Sequence, residues 1–265
     1  MNHDKKQFDF GQNWKNFSEK KLNKDKIIQA QHDFKELVKD LDIKNKSFID
    51  IGFGQGLGLL SSIIFGAKSV GVDINEKCYE TLERNKDFFP ELKNVDIPII
   101  IGSILDGSIL EKIKSINKTY DILHSWGVLH HTGNMWTAID NCCQLISQNG
   151  IFILAIYNKH WSSRLWYIIK KIYNSSPAII KRLMIYKFYA IIFIAKFLVT
   201  FKNPLKKERG MSFYYDIVDW IGGFPYEYAT KDEIVEYLRY KGFNLIKFTK
   251  ASVPTGCNEF IFRKV

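Results

Sequence analysis

Cysteine is scarce in this chain, and its pattern excludes two kinds of stabilisation. The 265 residues contain four cysteines, Cys78, Cys142, Cys143 and Cys257, with no CxxC pair and no Cys/His spacing typical of a zinc site. The first residues are polar and charged, with no apolar run behind them, which argues against a signal peptide or membrane anchor there. We therefore expect reduced thiols in a cytoplasmic protein that has no structural metal.

Acidic residues are missing from one fifth of the chain. Residues 158–207 contain no Asp or Glu, although the whole chain has 28 of them against 38 Lys and Arg and a formal net charge of +10. This segment alone is +11 and the remainder is −1, so the excess positive charge is concentrated in one place. The basic residues are Lys159, Arg164, Lys170, Lys171, Lys181, Arg182, Lys187, Lys196, Lys202, Lys206 and Lys207.

Short apolar runs alternate with helical patterns from Lys46 onward, which is typical of a parallel α/β sheet. The pattern predicts strands over 47–51, 69–73, 97–102, 121–125 and 150–156, with helices over 57–65, 76–88 and 135–146. After an interruption of about 70 residues, Thr230 and Glu233 form a predicted capping box for a helix to Tyr240. Strands over 244–249 and 259–263 complete a predicted sheet of seven strands.

The spacing divides the chain into four predicted parts. We expect an N-terminal helical lid segment over 1–45 and a Rossmann-like core over 46–157. A basic, aromatic helical cap would follow over 158–228, inserted after the fifth strand. Residues 229–265 would supply the last helix and strands of the core. The predicted fold is therefore an α/β, mostly parallel seven-stranded sheet with helices on both faces.

A glycine-rich turn follows the first predicted strand. Glycines at alternate positions, Gly52, Gly54 and Gly56, let the backbone approach a ligand at the carboxyl edge of the sheet. Asp73 ends the second strand, where its carboxylate can accept both ribose hydroxyls of an adenosine. A dinucleotide site is the alternative. Two features favour S-adenosylmethionine: Asp50 stands two residues before the first glycine, and the glycine spacing is not G-x-G-x-x-G.

These residues resemble a known family. Asp50 to Gly56 resembles motif I of the class I S-adenosylmethionine-dependent methyltransferases, and residues 121–132 resemble the fourth-strand motif of their ubiquinone-biosynthesis-like subgroup. Residues 102–104 resemble the motif that brackets the adenine, with Ser103 in place of the usual acid. The aromatic stretch 8–17 resembles a mobile lid, and a helix packed on the flank of the sheet is the alternative. The resemblance implies that S-adenosylmethionine is the donor and S-adenosylhomocysteine the product. The implied donor-binding residues are Asp50, Gly52, Gly54, Gly56, Asp73, Ile74, Ser103, Ile104, Ser125, Trp126 and Trp14.

A histidine pair follows the fourth predicted strand, at the same sheet edge as the glycine turn. Either His130 or His131 could act as a general base near neutral pH. The alternative is that they pack or bind the backbone, and we expect one at most to face the acceptor. In the polar and aromatic stretch 210–228, Tyr215, Asp216 and Glu227 are the candidate acceptor contacts, with packing as the alternative.

The basic insert leaves three alternatives open. Residues 183–201 are nearly apolar but carry Lys187 and Lys196, which excludes a membrane span. The insert could roof the active site, lie on an anionic membrane, or bind nucleic acid. We expect a small-molecule methyltransferase acting on an O or N atom of an anionic or phosphorylated acceptor. A membrane-associated lipid or quinone, an RNA or DNA substrate, and a non-catalytic donor-binding scaffold are the alternatives.

Overall fold

The computed structural model describes residues 7–201 and 212–265. These residues form seven strands and ten α-helices, arranged in the alternating order that the sequence predicts. The strands are β1 (Ser47–Ile51), β2 (Lys68–Asp73), β3 (Ile99–Ile101), β4 (Tyr120–Trp126), β5 (Ile146–Tyr157), β6 (Phe243–Thr249) and β7 (Cys257–Lys264). The helices are α1 (Phe10–Lys21), α2 (Lys24–Val38), α3 (Leu57–Ile64), α4 (Glu76–Asn85), α5 (Gly107–Ile116), α6 (Met135–Gln144), α7 (Ser163–Ser175), α8 (Ala178–Thr200), α9 (Phe213–Gly222) and α10 (Lys231–Tyr240).

The strands form one sheet in the order β3-β2-β1-β4-β5-β7-β6. The pairs from β3 to β5 are parallel, whereas β7 is antiparallel to both β5 and β6. Chain order reverses direction between β1 and β4. In an open α/β sheet, the crevice outside the carboxyl ends of the strands at such a switch point is where ligands bind.

Helices cover both faces of the sheet. Phe48 and Ile49 are neighbours in β1 and point to opposite faces, yet both are fully buried. Ile49 belongs to an apolar cluster with residues of α5, α6 and α10, and Phe48 belongs to a second cluster with residues of α2. This double burial explains why the strands read as continuous apolar runs. The predicted Rossmann-like, mostly parallel seven-stranded sheet is confirmed.

Several element boundaries differ from the prediction. The third strand is only Ile99–Ile101, because Pro98 has no N–H for the ladder. The fifth strand begins earlier, at Ile146, where it pairs with Tyr120, and the helix before it ends at Gln144. Helix α5 was not predicted, although Asp106 caps it by accepting a hydrogen bond from the N–H of Ser108 at 2.8 Å.

The insert after β5 is helical, as predicted. In the described part of the insert, α7, α8 and α9 all contribute to one apolar cluster. No helix in the described part of the chain combines the length and the apolar character needed to cross a membrane. Lys202, Lys206 and Lys207, and the side chain of Lys196, lie outside the described residues. The division into four parts at residues 45, 157 and 228 stays a prediction.

Candidate active site

The glycine turn between β1 and α3 leaves no room for larger side chains. Gly52 and Gly54 have φ values of +78° and +56°, a left-handed region that favours glycine. A Cβ on Gly52 would collide with the side chain of Val128, which follows β4. A Cβ on Gly54 would lie 3.0 Å from Nε1 of Trp14. The turn therefore exposes bare backbone at the crevice, between α1 on one side and the end of β4 on the other.

Asp73 joins the end of β2 to this turn. Its Oδ2 accepts a hydrogen bond from the Gly54 N–H at 3.0 Å, and its Oδ1 accepts one from the Asn75 N–H at 2.9 Å. Burial raises the pKa of the carboxyl, and the two backbone donors oppose this rise. Cys78 also hydrogen-bonds the carboxyl group, and Asp73 lines the cleft. That the carboxylate accepts the ribose hydroxyls of the donor stays a prediction.

Asp50 is held by a histidine of β4, a residue that was not among the predicted site residues. His124 Nδ1 lies 2.7 Å from Asp50 Oδ1, and both side chains are buried. Trp126 stacks on the His124 ring with the ring centroids 5.8 Å apart. Asp50 lines the cleft, so His124 positions a carboxylate at the predicted donor site.

The other predicted donor-binding residues divide between the cleft and its supporting wall. Ile74 is 52% exposed and offers an apolar surface beside Asp73, as an adenine ring requires. Ser103 and Ile104 also line the cleft. Gly56 begins α3 in a left-handed conformation, and Ser125 donates a hydrogen bond to the carbonyl oxygen of Ile51 at 3.0 Å. These last two support the turn. The donor-binding assignments of all these residues stay predictions.

Helix α1 and the residues before it close one side of the cleft. Phe8, Phe10 and Trp14 line it. Asp9 caps α1 and also accepts hydrogen bonds from Asn75 Nδ2 at 2.8 Å and Lys77 Nζ at 2.5 Å. The segment is therefore fixed to the loop after β2, beside the donor site. That it opens as a lid stays a prediction.

The far end of the cleft is formed by the insert. Apolar side chains of α7, α8 and α9 line it, and two acids of α9, Asp216 and Asp219, are among its polar groups. The cleft has a volume of about 2120 Å³ and runs from the glycine turn to these helices. Among the residues that the structure describes, no group of three His, Cys, Asp or Glu side chains could hold a metal ion. The aromatic and aliphatic lining residues of the insert include Trp166, Ile169, Phe188, Ile192, Phe213 and Trp220.

Asp219 was not among the predicted site residues. Its Oδ1 accepts a hydrogen bond from Asn13 Nδ2 at 2.6 Å, which links α9 to α1. Burial raises the pKa of its carboxyl to about 8, while the Asn13 hydrogen bond opposes the rise. The available signal was its position three residues after Asp216, which places both acids on one face of a helix.

Lys170 is a second buried group that the sequence did not single out. Its Nζ donates to the carbonyl oxygen of Trp220 and lies 4.7 Å from the ring centroid of Tyr226 and 5.5 Å from that of Tyr157. Burial lowers its pKa to about 7, and the nearby Asp219 carboxyl opposes this. Lys170 therefore anchors α7 to the end of α9 beside the acceptor end of the cleft.

The two predicted catalytic histidines have different surroundings. His130 is fully buried, and its Nδ1 accepts the Tyr157 N–H at 3.3 Å. His131 lines the cleft, and its Nδ1 donates to the Pro225 carbonyl oxygen at 2.6 Å. The proton on Nδ1 leaves Nε2 of His131 as the basic nitrogen. Burial lowers the pKa of His131 to about 3 and that of His130 well below its usual value. A catalytic role for either stays a prediction.

The three residues predicted to contact the acceptor also differ in their surroundings. Asp216 lines the cleft. The Tyr215 hydroxyl donates to the carbonyl oxygen of Asn16 at 3.1 Å. Both carboxylate oxygens of Glu227 accept the Met135 N–H, each at 3.1 Å, at the start of α6. The observed contacts of Tyr215 and Glu227 are structural, and binding of an acceptor by any of the three stays a prediction.

Comparison with curated proteins identifies two methyltransferases as relatives. The ubiquinone biosynthesis O-methyltransferase of Pelagibacter ubique is 27% identical over 146 residues, 55% of each chain. The ribosomal protein L11 methyltransferase of Fusobacterium nucleatum is 36% identical over 89 residues, 33% of this chain and 26% of that one. The chain thus matches about half the length of the first relative and a quarter of the second.

Solved structures support the fold. Magnesium protoporphyrin IX methyltransferase from Synechocystis PCC 6803 with bound S-adenosylhomocysteine is 15% identical, with a TM-score of 0.53 over 90% of this chain and 84% of that one. An S-adenosylmethionine-dependent methyltransferase from Listeria monocytogenes, described as putative, is 14% identical with the same TM-score, over 90% and 99%. The model of the methyltransferase domain family matches residues 26–181. Because that match spans more than half of the chain, the protein belongs to the methyltransferase domain family, and the predicted class of S-adenosylmethionine-dependent methyltransferase is confirmed.

Proposed function

We propose that this protein transfers the methyl group of S-adenosylmethionine to an oxygen or nitrogen atom of a small molecule bound under the insert. One observation carries the proposal: a single cleft runs from the glycine turn to the apolar end walled by α7, α8 and α9. A donor bound at Asp50 and Asp73 would share that cleft with an acceptor held at Asp216 and Asp219. In-line displacement needs this shared, oriented space.

Side chains of the cleft can accept the proton that the reaction releases. When a hydroxyl attacks the methyl group, a new C–O bond forms, the C–S bond breaks, and the sulfonium loses its charge. The hydroxyl proton needs an acceptor. Asp219 lies at the acceptor end with a pKa raised to about 8, so its ionised carboxylate is a stronger base than an ordinary aspartate. Nε2 of His131, one of the two bases that the sequence predicts, is the weaker candidate because burial lowers its pKa to about 3.

The lining of the cleft favours an acceptor with an apolar body. The insert contributes indole, phenyl and aliphatic side chains there, and its polar lining residues are Asp216 and Asp219 on α9 together with His160 and Ser162 before α7. A phosphate or carboxylate on the acceptor would meet an acidic α9. The basic side chains of Arg164, Arg182 and Lys187 are instead exposed on the insert. We therefore propose an uncharged acceptor, and the anionic acceptor expected from the charge of the insert stays a prediction. The cytoplasmic location also stays a prediction.

The test is methyl transfer from radiolabelled S-adenosylmethionine into an extract of the source cell. The extract is separated into small-molecule, lipid, nucleic-acid and protein fractions after incubation with the purified protein. We expect label in small apolar molecules, and we expect Asp219→Asn to reduce it strongly while the exposed Asp232→Asn control does not. Label confined to RNA or protein would overturn the proposal, and label nowhere would favour the non-catalytic scaffold.

A further inference from the structure

The outer faces of α7 and α8 expose large apolar side chains in unusual number. Trp161 is 83% exposed, Leu183 64% and Phe201 81%. Soluble monomers rarely expose contiguous apolar patches of this kind unless a partner covers them. We call this surface the apolar stripe. Its members are Trp161, Leu165, Ile168 and Ile172 on and before α7, and Ile179, Leu183, Tyr186, Ile191, Ile194, Phe197, Leu198 and Phe201 on and after α8.

The stripe follows helical spacing. Exposed apolar residues recur at intervals of three or four along the 23-residue helix α8. They are Ile179, Leu183, Tyr186, Ala190, Ile194 and Phe197. The opposite side of α8 packs into the insert, since Ile185 is buried against α9. The helix is therefore apolar on both sides, although only one side has a partner within the described chain.

Charge shows what kind of partner fits. Residues 158–207 have no acidic side chain, and Arg164, Lys171, Arg182 and Lys187 are exposed beside the stripe. A second copy would bring positive charge against positive charge. Nucleic acid would use the charge but not the isoleucine and leucine side chains, which cannot stack on bases as aromatic rings do. An anionic lipid bilayer satisfies both features, with the acyl boundary for the stripe and lipid headgroups for the basic residues.

The stripe adjoins the mouth of the cleft. Leu165 is 53% exposed and Ile191 48% exposed, and both also line the cleft. The exposed apolar surface is thus continuous with the apolar end of the active site.

We propose that α7 and α8 dock this protein on the surface of an anionic membrane, with the apolar stripe inserted at the headgroup boundary. Docking would bring the cleft mouth to the bilayer. If the proposed function also holds, an apolar acceptor dissolved in the bilayer enters the cleft without crossing water.

The test is co-sedimentation of the purified full chain with vesicles. One set contains phosphatidylglycerol and phosphatidylcholine, and the other contains phosphatidylcholine alone. We expect binding to the anionic vesicles at low salt, and at least about tenfold weaker binding to the neutral ones. Two variants test the surface: Arg182→Glu with Lys187→Glu, and Leu183→Ser with Ile194→Ser. Each should lower anionic vesicle binding at least about tenfold.

The matched control is Lys112→Glu with Lys118→Glu, which makes the same charge change on exposed residues at and beyond α5. It should bind vesicles nearly as the unaltered protein does. Titration with S-adenosylhomocysteine checks that each variant is folded. Because neither the titration nor the co-sedimentation needs an acceptor or turnover, the outcome does not depend on the proposed methyl transfer. Absence of binding at low salt, equal loss in the control, or dimers that form through Leu183 and Ile194 while no vesicle binds would each overturn the proposal.

Discussion

Burial sets the proton affinities of the side chains at the acceptor end of the cleft. It raises the pKa of Asp219 to about 8 and lowers that of Lys170 to about 7, because each charged form loses hydration. Asn13 partly replaces that hydration for Asp219 by donating a hydrogen bond. Groups with strongly shifted pKa values inside a cleft are typical of catalytic sites.

Asp219 gives the first prediction. If its carboxylate accepts the acceptor's proton, methyl transfer should rise with pH and level off above about 8, since only the ionised form is a base. Asp219→Asn should remove this rise and lower kcat roughly 100-fold or more. Initial rates between pH 6.5 and 9.5 check it. An Asp219→Asn enzyme that keeps the pH profile of the unaltered protein would exclude Asp219 as the base.

His131 gives a prediction about stability. Its pKa is about 3 in the folded protein and about 6.5 in an unfolded chain, so between these values only the unfolded chain binds the proton. The contribution of neutral His131 is complete above pH 6.5 and is lost as the pH falls. It should amount to about 2 kcal/mol between pH 7 and pH 5.

Urea unfolding at the two pH values measures this loss. His131→Asn should lose about 2 kcal/mol less than the unaltered protein on acidification, and the exposed control His32→Asn should not differ from it. Equal acid sensitivity in all three proteins would show that His131 is not buried in its neutral form.

At the scale of elements, α1 connects the two halves of the cleft. It is bonded to the loop after β2 through Asp9 and to α9 through Asn13, which also donates to the Tyr215 carbonyl oxygen at 3.1 Å. Trp14 lies between these bonds, against the glycine turn. Donor site and acceptor site are therefore linked by one helix.

The capping box of α10 offers a test of an element far from the cleft. Thr230 Oγ1 accepts the Glu233 N–H at 3.1 Å, and Glu233 accepts the Thr230 N–H at 2.7 Å. Thr230→Ala should lower the free energy of unfolding by about 1 kcal/mol. S-adenosylhomocysteine affinity should not change. The exposed Glu236→Ala in the same helix should cost much less, and an equal cost in calorimetry would mean that the cap contributes nothing specific.

The donor side of the site could be predicted because its signals are local. Gly52 and Gly54 stand directly after an apolar strand, and Asp73 ends the next, so parallel pairing brings them to one edge. The acceptor side depends on contacts between distant segments. Asn13 meets Asp219 across 206 positions, and Lys170 reaches the carbonyl oxygen of Trp220 only after α7 and α9 pack. No periodicity reveals such pairs.

The predicted element boundaries were wrong where backbone hydrogen bonding decides them, because such bonding cannot be read from the amino-acid composition. Pro98 shortened β3, and pairing with Tyr120 extended β5 back to Ile146. Helix α5 lacked a strong apolar run, but Ile109, Leu110 and Ile113 have the spacing that buries one face. Such cases need the neighbouring strand or helix to be known.

At the scale of the whole molecule, the excess positive charge and the predicted donor site lie in different parts of the chain. A nearly neutral sheet domain carries the predicted donor site, and the insert carries the excess positive charge on an apolar exterior. The cleft lies where the two meet. The whole account depends on donor binding at the glycine turn, since the acceptor and membrane proposals are both placed relative to it.

Calorimetric titration of S-adenosylhomocysteine into the unaltered protein, Asp73→Ala and the exposed control Asp106→Ala tests this most directly. Asp73→Ala removes the proposed ribose contacts together with the hydrogen bonds to Gly54 and Asn75. We expect its Kd to rise about 10- to 150-fold, the effect of losing about 1.5–3 kcal/mol, while that of Asp106→Ala stays unchanged. An Asp73→Ala protein that binds S-adenosylhomocysteine as tightly as the unaltered protein would contradict the account.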